Sequence, residues 1–101
     1  MKGRKPFKFK NAKGVVFEVH FRKPDKRYNA VGVCFDPELA KRGETPKIYI
    51  SPYLSDQAEL NTIIHEFAHA FFWDRPEAKV AKLADALSHF IYTERGWRKE
   101  K

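Results

Sequence analysis

Cysteine is almost missing from this 101-residue sequence; Cys34 stands alone, so no internal disulfide can staple the fold. Long hydrophobic runs are missing too. His, Glu or Asp interrupts each apolar patch within a few residues, well short of a membrane span. The opening MKGRKPFKFK lacks the apolar core of a signal peptide, and the expected compartment is the cytoplasm. Acidic residues are also scarce: 13 Asp and Glu face 20 Lys and Arg, leaving a net charge of +7. Neither an internal repeat nor a composition shift marks a second domain.

What is present is a globular composition, with 43% hydrophobic and 15% aromatic residues and Phe at nine positions. A chain of this length lies near the lower end of what buries an adequate core without a staple, so a bound ion would help it. The positive charge is uneven. Lys2, Arg4, Lys5, Lys8, Lys10, Lys13, Arg22, Lys23, Lys26 and Arg27 crowd the first 27 residues against only Glu18 and Asp25. The expectation is one domain over 1–101 with a basic N-terminal arm at about 1–13. Such an arm is either a solvated end or a weak nucleic-acid contact. In the second case affinity should fall with salt by roughly 0.9 log units per log unit for each phosphate neutralised on duplex DNA. A flat salt titration, or binding unchanged by deleting Met1 to Lys13, rejects that role.

Hydrophobic period divides the chain. From Val15 to Arg22, Val15, Phe17, Val19 and Phe21 alternate with Val16, Glu18, His20 and Arg22, the pattern of a strand with one buried face. KPDKR supplies turn residues and Tyr28 to Phe35 returns as a second strand, so the pair reads as a hairpin, with Gly32 marking a bulge. A loop from Asp36 to Pro46 leads to Lys47–Ser51, whose Ile48 and Ile50 oppose Tyr49 as in an edge strand; Phe7 to Lys10 adds a fourth. Beyond Pro52 the period becomes helical. Asp56 and Glu59 form a capping signature, and Leu60, Ile63, Ile64, Phe67 and Phe71 recur as far as about Trp73 on a largely buried helix. Asp74 and Glu77 repeat the signature before a second helix with the apolar stripe Val80, Leu83, Leu87 and Phe90, stopped by Gly96. The expected fold is α+β: a small antiparallel sheet of three to four strands, then an antiparallel pair of helices.

The first helix carries His65-Glu66-x-x-His69. Residues four apart share a helix face, so both imidazoles can reach one ion while Glu66 sits beside them. The chemistry that suits this set is hydrolysis. Zinc lowers the pKa of its water from about 15.7 toward about 7, and a carboxylate within reach takes the proton as the water attacks a carbonyl carbon. A catalytic zinc needs a third protein ligand, and the facing helix offers Glu77, Asp85 and His89. Each also has a structural role open to it: Glu77 in a cap, Asp85 and His89 on an exposed face.

The stretch from Val33 to about Trp97 resembles the small HExxH metallopeptidase-like proteins common in phage genomes, relatives of the SprT-like and ImmA/IrrE-like zincins. The resemblance rests on His65, Glu66 and His69, and on Glu77-Ala-Lys-Val80-Ala-Lys-Leu83-Ala84. It implies a minimal zincin that hydrolyses peptide bonds by a Glu66-activated, zinc-bound water, with Glu77 as third ligand, in the host cytoplasm if the chain is phage-encoded. An oxyanion-stabilising residue is expected near the ion, and His89, Tyr92 and Tyr53 are candidates. A peptide or protein substrate could add itself to the Lys47–Ser51 strand edge. Cys34 reads as a small buried hydrophobe, His20 as a residue on the wetter strand face, and Trp73 and Trp97 as aromatics closing the ends of the helical hairpin.

Two other functions compete with a plain peptidase. One keeps the zinc for stability alone in a module that binds nucleic acid or a protein through the basic region; the other is a SprT-like protease that the arm recruits to nucleic acid. Glu66 discriminates against the first, because a purely structural site has no use for a carboxylate beside an open coordination position.

Overall fold

A computed structural model of the chain describes residues 6–24 and 30–99. Four strands come first among these: β1 (Phe7–Lys10), β2 (Val16–His20), β3 (Gly32–Cys34) and β4 (Lys47–Ile50), with a 3-10 helix (Pro37–Arg42) between the last two. Helices α1 (Asp56–Phe71) and α2 (Glu77–His89) follow, and a π-helical turn (Phe90–Glu94) extends the second. The α+β class holds. The first five residues of the basic arm, and Tyr28 at the start of the expected second strand, lie outside the described residues.

The sheet differs from the expected one in order and direction. Its order is β1-β2-β4-β3, with β2 and β4 parallel and both outer pairs antiparallel, so it is mixed rather than antiparallel. The expected hairpin does not form; β3 pairs with β4, and β4 is an inner strand rather than an edge. Packing explains why. In register with β2, β4 sets Ile48 against Val19 on the inner face and Lys47 against Glu18 on the outer one. That arrangement buries Ile48 and Ile50 completely beside Phe17, the centre of the core, and burying a side chain of this size is worth about 1.5–3 kcal/mol. A nearby turn cannot compete with two such burials. On the outer face His20 hydrogen-bonds Glu18 at 3.0 Å and holds its carboxyl below the usual range.

The helices lie on the inner face. Ser55, not Asp56, caps α1: its backbone is extended and its hydroxyl accepts from the Ala58 N–H at 3.3 Å, leaving Asp56 and Glu59 in the first turn. Glu59 is buried there, 3.6 Å from Lys99 of the C-terminal tail. The second capping signature also fails, because Pro76 precedes α2 without a side-chain cap and Asp74 belongs to the loop. The apolar stripes are buried only in part: Leu60 and Val80 are inside and Ile63 packs on the core, but the rest of the pattern departs. Phe67 is 42% exposed although it packs on Phe9, and Leu83, Leu87 and Phe90 face outward. The helices instead meet through small residues: Val80, Ala84 and Ser88 are buried, and Asn61 of α1 donates to Ser88 Oγ at 3.1 Å and to Asp85 Oδ1 at 2.9 Å. Small side chains bring the helix axes close enough for groups on both to share one site. Among the described residues no helix is long and apolar enough to cross a membrane.

Candidate metal centre

Local geometry places the first donors. His65 and His69 stand one turn apart on α1, their Nε2 atoms 3.2 Å from each other. The antiparallel course of α2 brings its first residue opposite them. Glu77 Oε1 lies 2.7 Å from His69 Nε2, and Glu77 Oε2 lies 2.9 Å from His65 Nε2. His65, His69 and Glu77 thus offer donor atoms that all lie within 4.8 Å of one another. Donors on a tetrahedron around zinc, about 2.1 Å from its centre, are about 3.4 Å apart, close to the spacing seen here. Two imidazoles and a carboxylate are also the donor types such an ion takes, so the set fits one.

Asp85 and His89 are elsewhere. Asp85 is engaged by Asn61, one turn before His65, and His89 Nδ1 lies 3.5 Å from Thr93 Oγ1 on an exposed surface. Tyr53 is 82% exposed and Tyr92 stacks under the Arg98 guanidinium at 3.9 Å; neither borders the cleft around the His–Glu cluster.

Glu66 lines the cleft beside the imidazoles yet is only 9% exposed. Burial, reinforced by the Glu77 charge, pushes its carboxyl up to about 7. A cation held by His65, His69 and Glu77 acts in the opposite direction, favouring the carboxylate. The cleft that joins these groups measures about 390 Å³ and is bordered by Gly32, Val33, Cys34 and Trp73 besides the polar residues. Trp73 is therefore a wall of the site, not merely a cap on the helical hairpin. Cys34 packs against the core, and burial with the Glu66 and Asp36 charges raises its thiol well above the ordinary range. It stays protonated, as a small hydrophobe would.

Gly32 has a role that sequence period did not reveal. It is no bulge, since it pairs in register with Ile50. A Cβ there would stand 2.5 Å from Thr62 Cγ2 and 3.1 Å from both Cγ and Oε2 of Glu66. Glycine lets the β3 backbone close onto α1 and bury the carboxylate. Thr62 cannot easily turn aside, because its hydroxyl donates to the Ala58 carbonyl at 2.8 Å. Gly32→Ala should therefore cost about 1–3 kcal/mol, the usual penalty of overpacking, and lower the melting midpoint by roughly 5–20 °C. A thermal melt matching the unsubstituted chain would show that the close approach is not required.

β3 is also the strand whose outer edge borders this cleft. Val31 accepts from Ser51 N–H and the Phe35 N–H donates to Lys47, so by antiparallel alternation Val33 exchanges bonds with Tyr49 while the backbone groups of Gly32 and Cys34 face away from β4. No strand among the described residues pairs with that edge. The expected docking edge was the Lys47–Ser51 strand; being internal, it is closed to a peptide.

A peptidase family model described as IrrE N-terminal-like domain matches residues 17–96. No curated protein and no solved structure matches the chain.

Proposed function

The chain belongs to the IrrE N-terminal-like family of metallopeptidase-type domains, and from that premise we propose that it is a zinc-dependent peptidase hydrolysing peptide bonds in the cleft between β3, α1 and α2. The convergence of His65, His69 and Glu77 beside the buried Glu66 carries this reading. Those three residues would hold the ion, which when bound supplies Lewis-acid polarisation of the scissile carbonyl and acidifies water. The remaining work falls to the chain itself. Outward-facing backbone groups of Gly32 and Cys34 hold an extended substrate as an added strand, reading main chain rather than side chains. Glu66 takes a proton from the water that attacks the carbonyl carbon, and returns it to the departing amine nitrogen as the C–N bond breaks. Its burial between Gly32 and α1 limits the carboxylate to few positions, which keeps the proton path short.

A zinc kept for stability alone gives no reason for a buried carboxylate beside it, since burying one without compensation is costly. Nor does it need a cleft of about 390 Å³ beside a strand edge that no other strand among the described residues pairs with. The test is digestion of an unfolded protein by the zinc-loaded chain and by its Glu66→Gln counterpart. Cutting by the first alone supports the reading; equal cutting, or none by either, rejects it.

A further inference from the structure

Beyond the metal cleft the surface continues into a second hollow, and Trp73 lines both. This groove measures about 690 Å³ and is more apolar than polar. The β1–β2 turn contributes Ala12 and Val15 to it, the 3-10 helix Pro37 and Ala40, and the end of α1 Phe71. Its placement follows from the chain path. β3 borders the cleft, and after only Phe35 and Asp36 the same chain becomes the 3-10 helix that borders the groove. A polypeptide laid along the β3 edge therefore passes from one hollow into the other. In the other direction, past Gly32 and Glu66, lies a recess of about 300 Å³ bordered by Asn61 and Thr62. Along this trough, recess and groove are both more apolar than polar, and the groove is the larger by about twofold, with His65, Glu77 and Glu66 on the cleft between them.

We propose that the groove is a side-chain subsite taking a bulky apolar residue, Leu-sized or aromatic, close to the bond that is cut. The assignment deepens the peptidase reading and rests on it for the word substrate. Three observations support that occupant over others. The groove adjoins the cleft, with Trp73 as their shared wall, so a chain bound along the cleft reaches it within a residue or two. It is large enough for an aromatic side chain with part of its neighbour, within the range of sites that enclose small ligands. Its rim carries Lys13, Lys41 and Arg75 against Glu38 and Asp74, with Lys41 paired to Glu38 at 3.0 Å, so the charges nearly balance and offer no concentrated field for a polar ligand. An extended substrate then places alternate side chains toward the protein, and one of them enters the groove.

The test separates binding from cutting. Blocked decapeptides that differ at one position as Ala, Leu or Phe are titrated into zinc-loaded Glu66→Gln, which keeps the trough intact, with tryptophan fluorescence as readout. The Leu and Phe peptides should bind about 10- to 200-fold more tightly than the Ala peptide, the range a hydrophobic pocket discriminates. Ala40→Trp and, independently, Ala12→Trp place a large side chain in the groove without touching a metal donor. Each should abolish the discrimination while zinc stoichiometry and melting temperature stay the same. Equal affinity for the three peptides, no binding by any of them, or discrimination that survives both fillings overturns the subsite. So does a dimer that the fillings dissociate, since a second copy would then be the occupant. Cutting of a peptide library by the wild type with no apolar preference also removes the subsite while leaving the peptidase reading in place. Discrimination in Glu66→Gln without cutting by the wild type does the reverse.

Discussion

Glu66→Gln should bind zinc as the wild type does, melt at a similar temperature, and turn over peptide substrate 10²- to 10⁴-fold more slowly. That loss corresponds to about 2.7–5.5 kcal/mol of transition-state stabilisation. The reasoning begins with position: Glu66 is next to His65 in the chain yet is absent from the cluster of candidate donors formed by His65, His69 and Glu77, and it is buried against Gly32. Gln has nearly the same shape, so it fits the space that Gly32 leaves. It cannot accept a proton at neutral pH. The deficit should therefore appear in kcat, with KM little changed, the signature of an interaction made only as the reaction proceeds. Equal rates for the two proteins would point to a contaminating protease or to a different base.

Zinc itself should produce the largest change in stability. An ion that binds only the folded chain adds about 2.7 kcal/mol when its free concentration is 100 times Kd, and for a domain of this size that raises the melting midpoint by roughly 10–20 °C. One zinc per chain is expected by elemental analysis. His65→Ala, His69→Ala and Glu77→Ala should each lose the ion and the thermal gain with it. Glu77→Ala is the most telling of the three, because the Glu77 side chain is 66% exposed and contributes little to packing without a metal. Asp85→Ala and His89→Ala should retain the ion, since one engages Asn61 and the other stands on an exposed surface. Zinc lost from either of these and kept by Glu77→Ala would overturn the register of α1 against α2.

The elements themselves were legible. Strand period put Phe17 and Val19 on the buried face of their strand, and the Ile48–Tyr49–Ile50 alternation put the two isoleucines on one face together, which in the structure is the core side. The helical pairing of His65 and His69 was legible for a stronger reason: four residues on a helix return to one face whatever surrounds them. Capping was legible only approximately. Asp56 and Asp74 both matched a signature, but Ser55 supplies one cap and Pro76 begins the other helix without any. A cap is chosen by where the chain leaves extended geometry, which neighbouring residues leave undetermined within a position or two. The apolar stripe of α2 held at Val80 and misled beyond it, because the contact surface favours close approach, and Ala84 with Ser88 allows it where Leu83 and Leu87 do not.

Sequence by itself determined the strand segments and the two α-helices, though not the 3-10 helix at Pro37–Arg42, which reads as loop. It also determined the pairing of two histidines on one face and the presence of Glu66 beside them. Each of these follows from interactions within a few residues of chain, where the backbone period leaves little choice. Tertiary structure decided the rest. It chose the order β1-β2-β4-β3 and so, among the described residues, left β3 rather than β4 with its edge open at the cleft. It brought Glu77 rather than Asp85 or His89 to the imidazoles, three candidates that spacing alone left open. It gave Gly32 its purpose, burying Glu66 by a contact across more than thirty residues of sequence. These outcomes depend on which distant segments can satisfy their backbone hydrogen bonds and fill one shared volume together, a condition that no local period encodes.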